Sequence, residues 1–343
     1  MKKRFIAGLM SAAIFCGMLT GCGEAGNNGS GASFASSSDK KKTINIYSAG
    51  EDYRNENMRK MLKEKFPEYD IQLNDIDTGS FAAKVAAEGK DSDIDIICEL
   101  ETTYLEKCKD NLAELSDIDF SPYVEEFVPA DKKYVPELLL SGSIIVNKKV
   151  LDEKGAAVPK SYDDLLKPEY RGLISMPNPK SSGTGYIFLL NLVNELGEDK
   201  AFEYFDKLAE NISGAGFTTS GSGPVKALLQ GEAGIGLGIT YQAAEEIDKG
   251  AEFEIKFFKE GAPYTTYSSA VIAGKEKDED IMKVFRYLIN EVSREDKRLY
   301  SPEKVFKQQE SVMKNFPENI SYGNMDGLDS IEIKERLLDK WNH

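Results

Sequence analysis

Residues 176–190, MPNPKSSGTGYIFLL, decide how the chain is read. They read as the end of a strand (172–176), then a loop broken by Pro177 and Pro179. Ser181, Ser182, Gly183, Thr184 and Gly185 follow, with a helix opening near Tyr186. Small hydroxyl residues and glycines ahead of a helix leave its first N–H groups uncovered. Glycine lets backbone approach a ligand closely, and the positive end of the helix dipole favours an anion there. An ordinary N-cap after a proline turn has the same local sequence. What separates the two is that the chain repeats the arrangement elsewhere.

Working outward, the pattern is strand then helix, repeatedly. TINIYS (43–48) reads as a buried strand, and 55–66 as a helix with Met58, Met61, Leu62 and Phe66 on one face. A second strand over 69–76 leads into Thr78-Gly79-Ser80 and a short helix. A third, 94–98, ends at Glu99, Glu101, Thr102 and Thr103. Downstream, SYDDLLKPEY (161–170) reads as a helix. Further helices are expected at 187–195, 200–210 and 224–230, with strands at 173–176, 233–239 and 253–258. Such alternation predicts an α/β fold with a mostly parallel sheet. Two long extended runs without helical period, 134–149 and 265–273, read as crossings between two α/β units. The expected division is one lobe from 43–138 with 265–290 and a second from 139–264. Helices complete 279–292, and C-terminal helices over 291–343 have no lobe assigned.

The N-terminus is a separate matter. Lys2, Lys3 and Arg4 precede an apolar run from Phe5 to Leu19, the layout of a secretory signal over 1–21. Leu19-Thr20-Gly21-Cys22 has the form of a bacterial lipobox, which predicts cleavage before Cys22 and its lipidation. Residues 22–42 are Gly-, Ser- and Asn-rich and predict a flexible tether. The expectation is a monomeric, extracytoplasmic domain held to the bacterial cell membrane by a lipid on Cys22.

A formal net charge of −15 argues against nucleic acid as partner, since phosphate backbones are bound by clustered Lys and Arg. The one histidine is His343, the last residue, which removes His-based triads, His-rich zinc sites and His general bases. No Walker loop or strand-linked GxGxxG is present, no cofactor is indicated, and the chain is read as a non-enzyme. An extracytoplasmic phosphate-ester enzyme stays as an alternative lacking any visible nucleophile and base. Cys98 ends the apolar strand IDIIC and Cys108 sits on the next helix; both are read as buried thiols, with a disulfide the alternative.

Ligands of open α/β sheets bind beyond the carboxyl ends of strands. Ser48 and Gly50, Ser80, Ser181–Gly185 and the loop around Ser222 would line such a cleft with N–H and O–H donors, suited to a phosphate, phosphonate or carboxylate. Glu99, Glu101, Tyr241 and Tyr267, with Tyr47 and Tyr264 at further strand ends, suit a cation instead: an ammonium by cation–π attraction, or ferric iron by hard oxygen ligation. A zwitterion would use both sets.

TINIYSAGED (43–52), PNPKSSGTGY (177–186) and GEAGIGLGITYQAAEE (231–246), with the lipobox and tether, resemble the solute-binding proteins of ABC importers. The resemblance is to the cluster of ferric-iron, 2-aminoethylphosphonate, sugar-phosphate and thiamine binders. It implies a two-lobed, type II periplasmic-binding-protein-like fold with two hinge strands, a ligand in the cleft between lobes, and delivery to an ABC permease and its ATPase. In ferric members the Gly-Leu segment runs into two adjacent tyrosines; here Tyr241 is followed by Gln242. Ferric iron, with Tyr241 as a ligand and help from Glu99 and Glu101, is therefore the alternative to a phosphorus-containing or zwitterionic compound held by Ser48, Ser80, Ser181, Ser182, Gly183, Thr184 and Ser222.

Overall fold

The computed structural model describes residues 41–214 and 216–343. The signal, Cys22 and most of the tether lie outside the described residues. Among those described, no helix is long and apolar enough to cross a membrane.

The first lobe begins with β1 (Thr43–Ser48), α1 (Asp52–Lys65), β2 (Asp70–Asp75), α2 (Thr78–Glu88), β3 (Ile96–Glu101) and α3 (Thr102–Lys107). In β1 the alternation of TINIYS turns Ile44, Ile46 and Ser48 inward. Met58 and Leu62 of α1 cover them, and Phe66-Pro67 ends the helix. β3 is buried at every position and pairs in parallel with β1, as does β2.

β4 (Val135–Asn147) is the structural axis. It pairs antiparallel with β8 (Tyr264–Val271) as far as Ser141, then with β6 (Ile235–Ile239) from Gly142 onward. One strand thus leaves the first lobe's sheet and enters the second's between two adjacent residues, the geometry of a hinge. Glycine is needed at 142, because a Cβ there would lie 2.8 Å from the Phe188 ring and 3.1 Å from Pro263. The second lobe adds α4 (Lys148–Lys154), β5 (Ile174–Ser175), α5 (Gly183–Leu196), α6 (Glu198–Ala209), α7 (Gly223–Gln230), α8 (Thr240–Asp248) and β7 (Phe253–Lys256). The strand order β2-β1-β3-β8-β4-β6-β5, with β7 also on β4, is mixed rather than mostly parallel. The antiparallel pairs are those made by β4 and β8, since crossing strands return from the other lobe.

Two local expectations are corrected. SYDDLLKPEY forms two 3-10 turns, Asp163–Leu166 and Pro168–Tyr170, because Pro168 cannot continue a helix. The helices expected over 279–292 are present as α9 (Glu279–Tyr287) and a π turn (Leu288–Val292), which runs on into α10 (Ser293–Leu299). Residues 301–330 carry no helix; Pro302, Pro317, Gly323 and Gly327 interrupt any helical period, and the last helix is α11 (Ile331–Lys340).

The C-terminal sixty residues serve both lobes. Val284, Phe285, Val305 and Phe306 pack in the first lobe's core, and Met325, Leu328, Leu337 and Trp341 in the second's. The chain therefore crosses a third time after β4 and β8. Cys98 and Cys108 are both free and buried, as the apolar strand around Cys98 suggested.

Candidate functional site

The stretch 176–190 builds one wall. Asn178 shapes the loop: its carbonyl accepts from the Ser181 and Ser182 N–H groups at 3.1 and 3.0 Å, and its side chain from Lys180 N at 2.9 Å. Ser182 is the N-cap of α5, but its side chain makes no cap hydrogen bond. The first helical bond of the turn is Tyr186 N–H to Ser182 O, so the N–H groups of Gly183, Thr184 and Gly185 precede any intrahelical partner. Gly185 is required for close packing, since a Cβ there would sit 2.5 Å from Pro177 O. Gly183 faces the other way: its Cβ would lie 3.4 Å from the Tyr267 hydroxyl and 3.8 Å from Glu101 Oε2. Thr184 abuts the loop before α7, where a Cβ on Gly221 would meet Thr184 Oγ1 at 2.3 Å. Ser222 Oγ lies in that loop, 3.2 Å from Ser220 Oγ.

The facing wall is acidic. Glu51, at the N-cap of α1, accepts a short hydrogen bond from Tyr241 of α8, joining the lobes. Beneath it Arg54 donates to Asp296 through Nε at 2.8 Å and Nη2 at 2.6 Å, to Glu51 at 2.8 Å, and to Glu99. Lys297 completes the cluster, 2.7 Å from Asp296 and 3.7 Å from Glu137. Four carboxylates thus share two buried cations. Burial works against ionisation, yet Arg54 and Lys297 hold the Asp296 carboxyl well below its ordinary value. Glu99 loses that contest: burial outweighs Arg54 and pushes its carboxyl up to about 7. Glu99 also has φ of 51°, where the pairing of β3 with β8 shifts between Ile97 and Leu100. This irregularity turns its side chain toward Arg54 and Gly50.

Glu101, the last residue of β3, is held by Lys334 of α11, whose ammonium bonds both carboxylate oxygens at 2.7 Å. That ammonium lies 4.6 Å from the Tyr104 ring and 4.8 Å from the Tyr186 ring. Burial, then the Glu101, Glu51 and Glu99 carboxylates, raise the Tyr267 phenol well above its ordinary value. Burial and Glu51 do the same to Tyr241. Both phenols therefore present O–H groups.

Of the residues singled out in the sequence, the structure gathers Gly183, Thr184, Glu101 and Tyr267 at one end and Tyr241 and Glu99 at the other. Ser182 is nearly buried beside them, and Ser222 lies behind Thr184. Three are placed otherwise. Ser48 is fully buried, with its hydroxyl on Asn55 Oδ1 at 2.7 Å. Ser80 is exposed, and its N–H is already taken by the Asp77 carboxylate at 2.9 Å, so α2 offers no open anion end. Ser181 is exposed, turned back on Asn178 O at 3.4 Å. Tyr47 bonds Asp93, and Tyr264 lies on the opposite face of β8 from Tyr267. Glu51, Arg54, Asp296 and Lys334 were missed. Only Glu51 and Arg54 left a trace, an acid and a base three apart after Ser-Ala-Gly.

A family model of bacterial extracellular solute-binding proteins matches residues 99–320. The chain belongs to this family. It is a solute-binding protein of the ABC-importer type. It is 28% identical over 260 residues to an uncharacterized protein of Haemophilus influenzae, covering 71% of this chain and 72% of that one. Its fold matches the periplasmic binding protein P5PA with a TM-score of 0.74 at 24% identity, over 88% of this chain and 98% of that one. It matches AfuA from Actinobacillus pleuropneumoniae, with fructose-6-phosphate bound, at 0.72 and 22% over 88% and 98%. It matches iron-bound HitA from Pseudomonas aeruginosa at 0.72 and 17% over 87% and 99%. These are type II periplasmic binding proteins, and the solute-binding protein described here has their two-lobed α/β architecture. Family membership also places it outside the cytoplasm.

Proposed function

We propose that this solute-binding protein captures a small zwitterionic phosphonate or phosphate ester by closing its lobes, then hands it to an ABC permease. The observation that carries this reading is the open N-terminus of α5 at Gly183, facing carboxylates. The anionic group would take the N–H groups of Gly183, Thr184 and Gly185 with the Ser182, Thr184 and Tyr267 hydroxyls. A cationic group would meet Glu51 and Glu99. Arg54 is already committed to three carboxylates and Lys334 to Glu101, so neither is left to neutralise a doubly charged anion. That favours a zwitterion over a plain sugar phosphate. The lipobox at Cys22 supports membrane anchoring, which would hold the captured solute beside the permease.

Ferric iron is the second reading, because Tyr241, Tyr267 and three glutamates are all hard oxygen donors. Among the described residues no three His, Cys, Asp or Glu side chains group as a metal site. A thermal-shift comparison separates the two. A ligand at a hundredfold excess over Kd adds about 2.7 kcal/mol of stability. 2-Aminoethylphosphonate is expected to raise the melting temperature more than fructose-6-phosphate or ferric citrate does. A shift with ferric citrate alone, accompanied by a visible tyrosinate band, would replace the phosphonate with iron.

A further inference from the structure

Behind the crossing strands lies a second groove. Successive residues of a strand face opposite sides, so Thr265 and Tyr267 look into the cleft while Tyr264 and Thr266 look away. On that rear face a groove of about 1110 Å³ runs between the first lobe, the crossing strands and residues 302–323. Glu126, Glu303 and Glu318 line it, with Lys304 the one basic side chain among the described lining residues. Tyr264 and Tyr322 meet edge to face there, their ring centroids 5.3 Å apart, and Tyr322 is 40% exposed.

Glu303 is what makes this more than an acidic surface. It is 1% exposed. Its Oε2 accepts from Ser141 N at 3.1 Å, at the residue where β4 gives up β8 for β6. Its Oε1 has no partner. Burial lifts the carboxyl to about 7, and no cation offsets it. A buried carboxylate oxygen without a donor costs free energy that an ammonium group would recover.

We propose that the rear groove is a second binding site, for an organic ammonium compound whose cation meets Glu303 and packs against Tyr264 and Tyr322. Three carboxylates against one lysine favour a diamine over a monoamine. Because Glu303 holds the backbone of β4 at its change of partners, an occupant would sit against the hinge. The site shares no residue with the cleft proposed for the solute and does not depend on that assignment.

Isothermal titration with 1,4-diaminobutane, using neutral 1,4-butanediol as control, tests it. Glu303→Gln keeps an acceptor for Ser141 N but removes the charge. Tyr322→Ala removes a partly exposed ring at little risk to folding. The wild-type protein is expected to bind the diamine and not the diol. Affinity should fall about tenfold or more in Glu303→Gln and about threefold in Tyr322→Ala. No binding to the wild-type protein overturns the proposal. So does an affinity in Glu303→Gln equal to that of the wild-type protein.

Discussion

Arg54→Met is expected to cost about 3–5 kcal/mol of unfolding free energy, the loss typical when one partner of a buried ion cluster is removed. Arg54 is 3% exposed and is the main cation compensating Glu51, Glu99 and Asp296. Methionine fills its volume but leaves three carboxylates with Lys297 alone, and Lys297 reaches only Asp296 of the three. Urea denaturation checks the magnitude, and its pH dependence checks the cause. Asp296 has its folded value depressed, so its contribution is present above the unfolded value near 3.8 and disappears as pH falls through the folded one. The gap between wild type and variant should therefore hold from about pH 8 down to about pH 4 and narrow as pH falls below that. A gap independent of pH would mean that packing, not charge, is what Arg54 supplies.

Trp341→Ala should cost a similar amount, about 3–5 kcal/mol, for a different reason. Trp341 is completely buried, edge to face with Phe205 at 5.3 Å and Phe217 at 5.5 Å. It anchors α11 on the second lobe, while Lys334 of the same helix reaches Glu101 on the first. Loss of the indole should loosen that link as well as leave a cavity. Thermal denaturation reads the stability. Hydrogen exchange should show faster opening of 331–340 and of the carboxyl end of β3, against unchanged protection in β1 and β2. Unchanged exchange around Glu101 would show that the two lobes are not coupled through α11.

How much of this could be read beforehand follows the range of the interactions. β1, α1, the crossing strands and the opening of α5 come from local pattern: TINIYS alternates, VPELLLSGSIIVN has no helical period, and SSGTG must precede a helix. The start of α5 falls three residues before Tyr186 because glycines and threonine join a helix readily once its apolar face is docked. SYDDLLKPEY has the apolar spacing of a helix, but Pro168 cannot continue one. The site was half legible. Hydroxyl and glycine loops announce themselves, whereas the partners of Glu99 and Glu101 lie 45 residues upstream in Arg54 and 233 downstream in Lys334. No spacing rule connects such pairs; only the fold does. Ser48 and Ser80 show the converse, residues of the expected type whose hydrogen bonds are used up by Asn55 and Asp77.

In the proposed function the bare N-terminus of α5 at Gly183 receives the anionic end of the solute. Titration of 2-aminoethylphosphonate into the wild-type protein and into Gly183→Asp tests it most directly. Aspartate suits the first turn of a helix, and its Cβ has ordinary room, so the variant should fold. Its carboxylate would occupy and repel the place meant for the ligand's anion. Saturable binding by the wild-type protein is expected, with a loss of about a hundredfold or more in Gly183→Asp. Undiminished binding in the variant, or no binding by a wild-type protein that takes up ferric iron instead, would contradict it.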